Sequence, residues 1–121
     1  MRKYISLLLT ALLVLSMMTF MSVSASAAWD GSISVDFAGG NGTEASPFEI
    51  ASAQDLALVA KKVNEEGIEF EGQYLKLTTD IDLGGTPWIA IGNRANGSIA
   101  VFKGTFDGDN HTISGLNIDD V

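Results

Sequence analysis

Tyr74-Leu75-Lys76-Leu77-Thr78-Thr79-Asp80-Ile81-Asp82-Leu83 is the stretch on which the fold turns. Leu75, Leu77, Thr79, Ile81 and Leu83 share one parity and Lys76, Thr78, Asp80 and Asp82 the other, the period-two pattern of a strand with one buried and one wet face. Gly84-Gly85-Thr86-Pro87 ends it, Trp88, Ile89 and Ile91 make a short apolar stretch, and residues 92–97 are rich in Gly and Asn. Two further strand regions are expected, Ile99 to Phe106 and His111 to Ile118. They flank Asp107-Gly108-Asp109-Asn110, a turn of residues that tolerate left-handed backbone or cap it with their side chains.

Upstream, the period changes. Ser52 with Asp55 three residues later resembles a capping box with Asp in place of Glu, and Leu56, Val59, Ala60 and Val63 recur at helical spacing. A helix is predicted over about 53 to 66, with Lys61 and Lys62 toward its negative end and Gly67 as its stop. Glu65, Glu66, Glu69 and Glu71 could offer carboxylates to a hard cation, but are read as a solvated helix end. Before the helix, Ile33, Val35 and Phe37 alternate with Ser32, Ser34 and Asp36 and predict a short first strand. Residues 38–47 carry Gly, Asn and Pro and read as a loop. The lysine and following Ser or Thr of a phosphate loop are absent from it, as is a dinucleotide fingerprint.

The amino end reads as a secretory leader. Met1-Arg2-Lys3-Tyr4 is basic, Ile5 to Met21 is an apolar run, and residues 22–28 are small, with Ala-x-Ala at Ala25 and Ala27. Cleavage is expected near Ala27 or Ala28; the competing reading is an uncleaved anchor. The expected organisation is a signal peptide at 1–28, an N-terminal strand and Gly-rich loop at 29–51, and a helix with strands at 52–121. The whole chain has 121 residues, no cysteine, and 7 Lys+Arg against 15 Asp+Glu, a net charge of −8. That excludes a disulfide framework, a thiolate zinc site and a cysteine nucleophile, and weighs against a nucleic-acid partner, which would require clustered Lys and Arg. After cleavage no membrane span is expected, and the product would be exported, acidic and extracellular or held at the cell surface.

Gly42-Thr43, Pro47-Phe48-Glu49-Ile50, the helix with Leu56 and Val63-Asn64, Tyr74-Leu75-Lys76-Leu77, Asp80-Ile81-Asp82-Leu83, Trp88 with Ile91-Gly92, and Phe102 to Gly108 with His111-Thr112-Ile113 and Leu116 follow one another in a familiar order. In this order the chain resembles the N-terminal segment of secreted bacterial surface proteins that form right-handed parallel β-helices and carry GLUG repeats. The match covers about residues 39 to 118. Two features depart from it: Ala90 stands where the family often has Pro, and the Gly-Leu-x-Gly repeats do not occur within these residues. The resemblance implies a mainly β fold, the start of a right-handed parallel β-helix, or β-solenoid, capped by one N-terminal α-helix. Such coils need roughly three or more repeats for stability, so the chain is expected to be a fragment. The competing expectation is that the helix packs across a few strands and closes a small α+β unit.

His111 is the single histidine, with Asp107, Asp109 and Asn110 beside it in sequence, a set suited in principle to acid–base work. No nucleophile elbow accompanies it, and the segment is read as a turn. Asp107-Gly108-Asp109 lacks the spacing and distal Glu of a calcium loop. Asp80 and Asp82 are suited in kind to glycosidic-bond chemistry but are read as solubilising. Trp88, Tyr74 and the phenylalanines are read as core rather than as a sugar-stacking platform. Asn41, Asn96 and Asn110 match the N-glycosylation pattern and are read as chance matches. No catalytic, cofactor-binding or metal residue is assigned. The expected role is structural and non-catalytic, the capping segment of an adhesin-like or glycan-binding protein, with cell-surface glycans or extracellular ligands as partners of a downstream region. The alternative is the N-terminal part of a polysaccharide lyase, hydrolase or surface peptidase whose active site lies downstream. The apolar end left open near Ile118 is expected to make the isolated segment self-associate or be partly unfolded.

Overall fold

The computed structural model describes residues 28–93 and 99–118. The expected leader at 1–27 and the acceptor pattern at Asn96 lie outside them. The element order is β1 (Phe48–Ile50), α1 (Ala53–Asn64), β2 (Tyr74–Leu77), β3 (Ile81–Asp82), β4 (Thr105–Asp107) and β5 (Ile113–Ser114).

The helix forms where its signals lie. Ser52 is extended, at φ −159° and ψ 165°, and its Oγ accepts a hydrogen bond from Asp55 N at 3.2 Å. At the other end Glu65 N donates to Lys61 O, and Gly67 turns the chain away at φ +68°. The regular helix thus stops two residues before the predicted end.

β2 lies between β1 and β4, and every pairing is parallel: Phe48 opposite Leu75, Leu75 opposite Phe106, and in the second sheet Ile81 opposite Ile113. A single parallel bridge joins Pro87 to Asn117. The one-sided alternation is observed at Leu75, Leu77, Ile81 and Leu83, each buried, while Thr79 is exposed. The predicted continuous strand is interrupted at 78–80. Thr78 N donates to Ile50 O at the end of the first sheet, and pairing resumes with different partners at Ile81.

Ile50, Leu75, Leu77, Leu83, Val59 and Val63 are the largest fully buried side chains. Each such burial stabilises by about 1.5–3 kcal/mol. Around them Phe37, Phe48, Phe70 and Phe102 form a chain of ring contacts with centroids 4.9 to 6.3 Å apart. Phe70 is buried although its φ is +56°, a conformation bulky residues seldom adopt, so its packing holds a strained backbone in place. Trp29 and Trp88 make a separate tilted pair at 5.7 Å.

Three expectations are corrected. The right-handed parallel β-helix is not what the described residues form: they make two small parallel sheets, of three and two strands, with one helix and no closed solenoid. The strands are two to four residues long; residues 78–80 separate β2 of the first sheet from β3 of the second, and the turn at 84–85 separates β3 from the Pro87 bridge. With no closed solenoid to cap, α1 instead places six of its eight buried residues, between Ala53 and Val63, in the core it shares with the strands. The predicted strand at 33–37 is unpaired: Ser34 N bonds to Gln54 O of the helix instead of a neighbouring strand, Val35 is 90% exposed, and only Phe37 packs inward. The strand regions 99–106 and 111–118 shrink to β4 and β5, leaving Ile99, Val101, Phe106, Ile113, Leu116 and Ile118 each more than a third exposed.

Candidate functional site

The polar residues singled out in the sequence are brought together in pairs that differ from those expected. His111 does not meet Asp107 or Asp109; its Nδ1 lies 3.2 Å from Asp80 Oδ1, which also accepts Thr112 N at 2.9 Å. The parallel pairing of β3 with β5 causes this, since it sets the residues before Ile81 against those before Ile113. The Thr112 amide, and after it the His111 side chain, hold the Asp80 carboxyl below its ordinary range. Asp107 Oδ1 accepts Asp109 N at 2.9 Å, closing the turn in which Asp109 and Asn110 both have positive φ. Asp109 Oδ2 then lies 3.4 Å from Lys76 Nζ.

Asp82, expected to share a wet face with Asp80, caps the next turn by accepting Gly84 N at 2.8 Å. From the acidic group near the helix end, Glu69 pairs with Lys103 at 2.7 Å, which raises the Lys103 amine, and Glu66 lies 4.0 Å from Lys62. Among the described residues no group of three or more His, Asp or Glu side chains could hold a metal ion. Asp80, Asp82 and Asp107 thus accept backbone amides at turns and strand ends, and the remaining pairs are partly exposed ion pairs.

The concave surfaces are elsewhere. The larger is a cleft of about 420 Å³ floored by Leu56, Val59, Leu83 and Trp88 and rimmed by Phe106, Ile113 and Leu116. β4 borders it as an edge strand, paired on one side by β2. The smaller, of about 220 Å³, lies between Trp29, Trp88 and the side of α1 that carries Ala57, Ala60 and Asn64. Asn64 fastens this region: its Nδ2 donates to Ala90 O at 2.9 Å, and its Oδ1 accepts Gly92 N at 2.8 Å and Asn93 N at 3.3 Å. Trp29 Nε1 donates to Ser32 O, and Thr86 Oγ1 donates to Trp29 O. Trp88 is buried, as the core reading required. The part played by Trp29, Asn64 and Asn93 escaped sequence reasoning. The available signal was a helix-terminal Asn followed, beyond a strand block, by a Gly-Asn turn at Gly92-Asn93.

No protein-family model matches the chain, and no solved structure matches it. It is 36% identical over 89 residues to Halomucin of Haloquadratum walsbyi, a match covering 66% of this chain and 1% of that protein. It is 37% identical over 83 residues to a protein of Evansella cellulosilytica described as a Gly-rich membrane protein, covering 68% of this chain and 9% of that one. The chain therefore spans under a tenth of either relative. No helix among the described residues is long and apolar enough to cross a membrane.

Proposed function

We propose that the protein acts at the cell surface as a non-catalytic, structural segment of an adhesin-like or glycan-binding protein, of the kind its motifs resemble. The observation that carries this reading is how the reactive side chains are used. Asp80, Asp82 and Asp107 accept backbone amides at turns and strand ends and His111 and Asp109 pair with Asp80 and Lys76, whereas the larger of the two clefts described is apolar and open. A surface setting is supported by the basic, apolar and small-residue succession of residues 1–28 and by similarity to proteins named as a halomucin and a membrane protein. The finer statement belongs to the same proposal: the leader is removed near Ala27 or Ala28 and the rest is exported.

The test is to express the whole sequence with a C-terminal epitope in a bacterial host, fractionate the cells, and determine the amino terminus by mass spectrometry. Epitope in the medium or on intact cells, with a chain starting at Ala28 or Trp29, is the expected result. Retention in the cytosol with Met1 in place would overturn the surface role. Hydrolysis or elimination of polysaccharide by the purified product would overturn the non-catalytic one.

A further inference from the structure

We propose that the open edge of β4 is a dimerisation site, at which a second copy of this chain adds its own β4, antiparallel and about a two-fold axis through Phe106. This goes beyond the surface role, and its failure would leave that role standing. The three-stranded sheet is covered on one side and open on the other. Beyond β1, Ala38 N donates to Glu49 O at 3.2 Å and Glu49 N donates to Gly39 O at 2.9 Å, so residues 38–39 occupy that edge. β4 is the last strand on the other side, and all three of its residues are exposed. Thr105 N donates to Gln73 O across the parallel ladder, and the alternation of strand backbone turns the N–H and C=O of Phe106 to the open side. Unpaired backbone groups on an edge are a template for a further strand.

The order of charges along this edge selects the occupant. Lys103 precedes β4, Asp107 ends it and Asp109 follows it, so the strand is basic at its start and acidic at its end. A second β4 laid parallel and in register would set lysine beside lysine and aspartate beside aspartate, which is unfavourable. Antiparallel pairing about Phe106 sets Thr105 opposite the second copy's Asp107 and the Lys103 end beside the second copy's Asp109 end, and the two-fold axis makes each contact twice. Lys103 and Asp109 are 45% and 46% exposed at their side chains although each has an ion-pair partner in its own chain, so both can reach across. Asp107 uses Oδ1 for Asp109 N, and its Oδ2 can accept the hydroxyl of the second copy's Thr105. On the axis the two Phe106 residues exchange both backbone hydrogen bonds, with Cα atoms about 5.5 Å apart. Their rings lie on the side of the apolar cleft and meet there, next to the exposed Ile113 and Leu116 of each copy. The two three-stranded sheets thereby become one of six strands, with neither β4 left as an edge.

The protein recovered from cells expressing the whole sequence is followed by sedimentation equilibrium. A monomer–dimer equilibrium is expected, reaching a plateau at two copies, with a dissociation constant on the order of 100 μM for so short a strand pair. The register is read with introduced thiols, because the chain has no cysteine of its own. Thr105→Cys and Asp107→Cys face each other across the pairing, so a mixture of the two variants should form a disulfide-linked dimer under mild oxidation. Either variant alone should give roughly 10-fold less, its two thiols lying on a diagonal with Cα atoms about 7–8 Å apart. Phe106→Cys sits on the axis and should link to itself, which reads the register even if Asp107→Cys, having lost its turn contact, does not fold. Phe106→Lys brings two like charges together on the axis and should weaken association roughly 10-fold, with the far-ultraviolet circular dichroism unchanged. A parent that stays monomeric would overturn the assignment and leave the edge to a strand of another protein. Mass that climbs past two copies without a plateau, single variants that link as well as the mixture while Phe106→Cys does not link, or association unaltered in Phe106→Lys would overturn it too.

Discussion

A carboxylate buried at a helix start is costly to desolvate unless its oxygens are partnered, and Asp55 has both engaged. Oδ1 accepts Ser34 Oγ at 2.6 Å and Oδ2 accepts Ala51 N at 2.9 Å, so one side chain ties the segment before β1 and the residue after it to α1. Asp55→Ala should cost about 1–3 kcal/mol in urea unfolding, because two donors lose their acceptor together. Gly115 is constrained differently. It sits at φ +66°, and a Cβ there would lie 2.7 Å from both Asp82 Oδ1 and Gly84 N. Gly115→Ala should therefore destabilise by about 1–3 kcal/mol, read as a lower melting temperature, with the turn at 84–85 displaced. At Asp80 the effect is one of pH. Its carboxyl titrates below its ordinary range when folded, so its stabilising contribution is present above the unfolded value and is lost as pH falls through the folded one. Melting temperatures followed from neutral to acid pH should fall less steeply for Asp80→Asn than for the parent.

At the scale of elements, α1 was the most legible because its signals are local. Ser52 caps it as expected, and Ser52→Ala should lose about 1 kcal/mol in the same unfolding assay. Even here the carboxylate of the expected capping box reaches Ala51 N and Ser34, a partner that lies 21 positions away and cannot be read from spacing. The parity of Leu75, Leu77, Ile81 and Leu83 correctly marked their buried face. It could not show where the ladder changes partners, since Thr78 and Thr79 continue the alternation while the backbone leaves the sheet. The same pattern misled at 33–37, where alternation is present and pairing is not, because Ser34 is held by the helix. The candidate sites were less legible still. His111 was noticed, but its partner Asp80 is 31 positions away, and the Trp29–Trp88 cleft draws on residues that only tertiary structure assembles.

For the molecule as a whole, the apolar cleft beside β4 predicts self-association in solution. Phe106, Ile113, Leu116 and Ile118 are 36%, 38%, 57% and 47% exposed on one stretch of chain, next to an edge strand. Exposed apolar patches and open edges favour association. Light scattering should show mass rising with concentration, and Leu116→Lys with Ile118→Lys should reduce it without lowering the melting temperature. A parent that stays monomeric at every concentration would refute this. The expectation of a coil misjudged the whole because it carried an ordered set of motifs over to a closed architecture, whereas residues 28–93 and 99–118 form two short sheets and one helix that share a core. The parallel pairing has a consequence in time. Phe48 meets Leu75 across 27 positions, Leu75 meets Phe106 across 31, Ile81 meets Ile113 across 32 and Pro87 meets Asn117 across 30, and no sheet pairing is a local hairpin. Contacts this distant in sequence form slowly, after loop-closure entropy has been overcome. A chain that crosses a membrane amino end first cannot complete either sheet until residues 105–117 have followed it through; until then only α1 and the pairing of β1 with β2 can form.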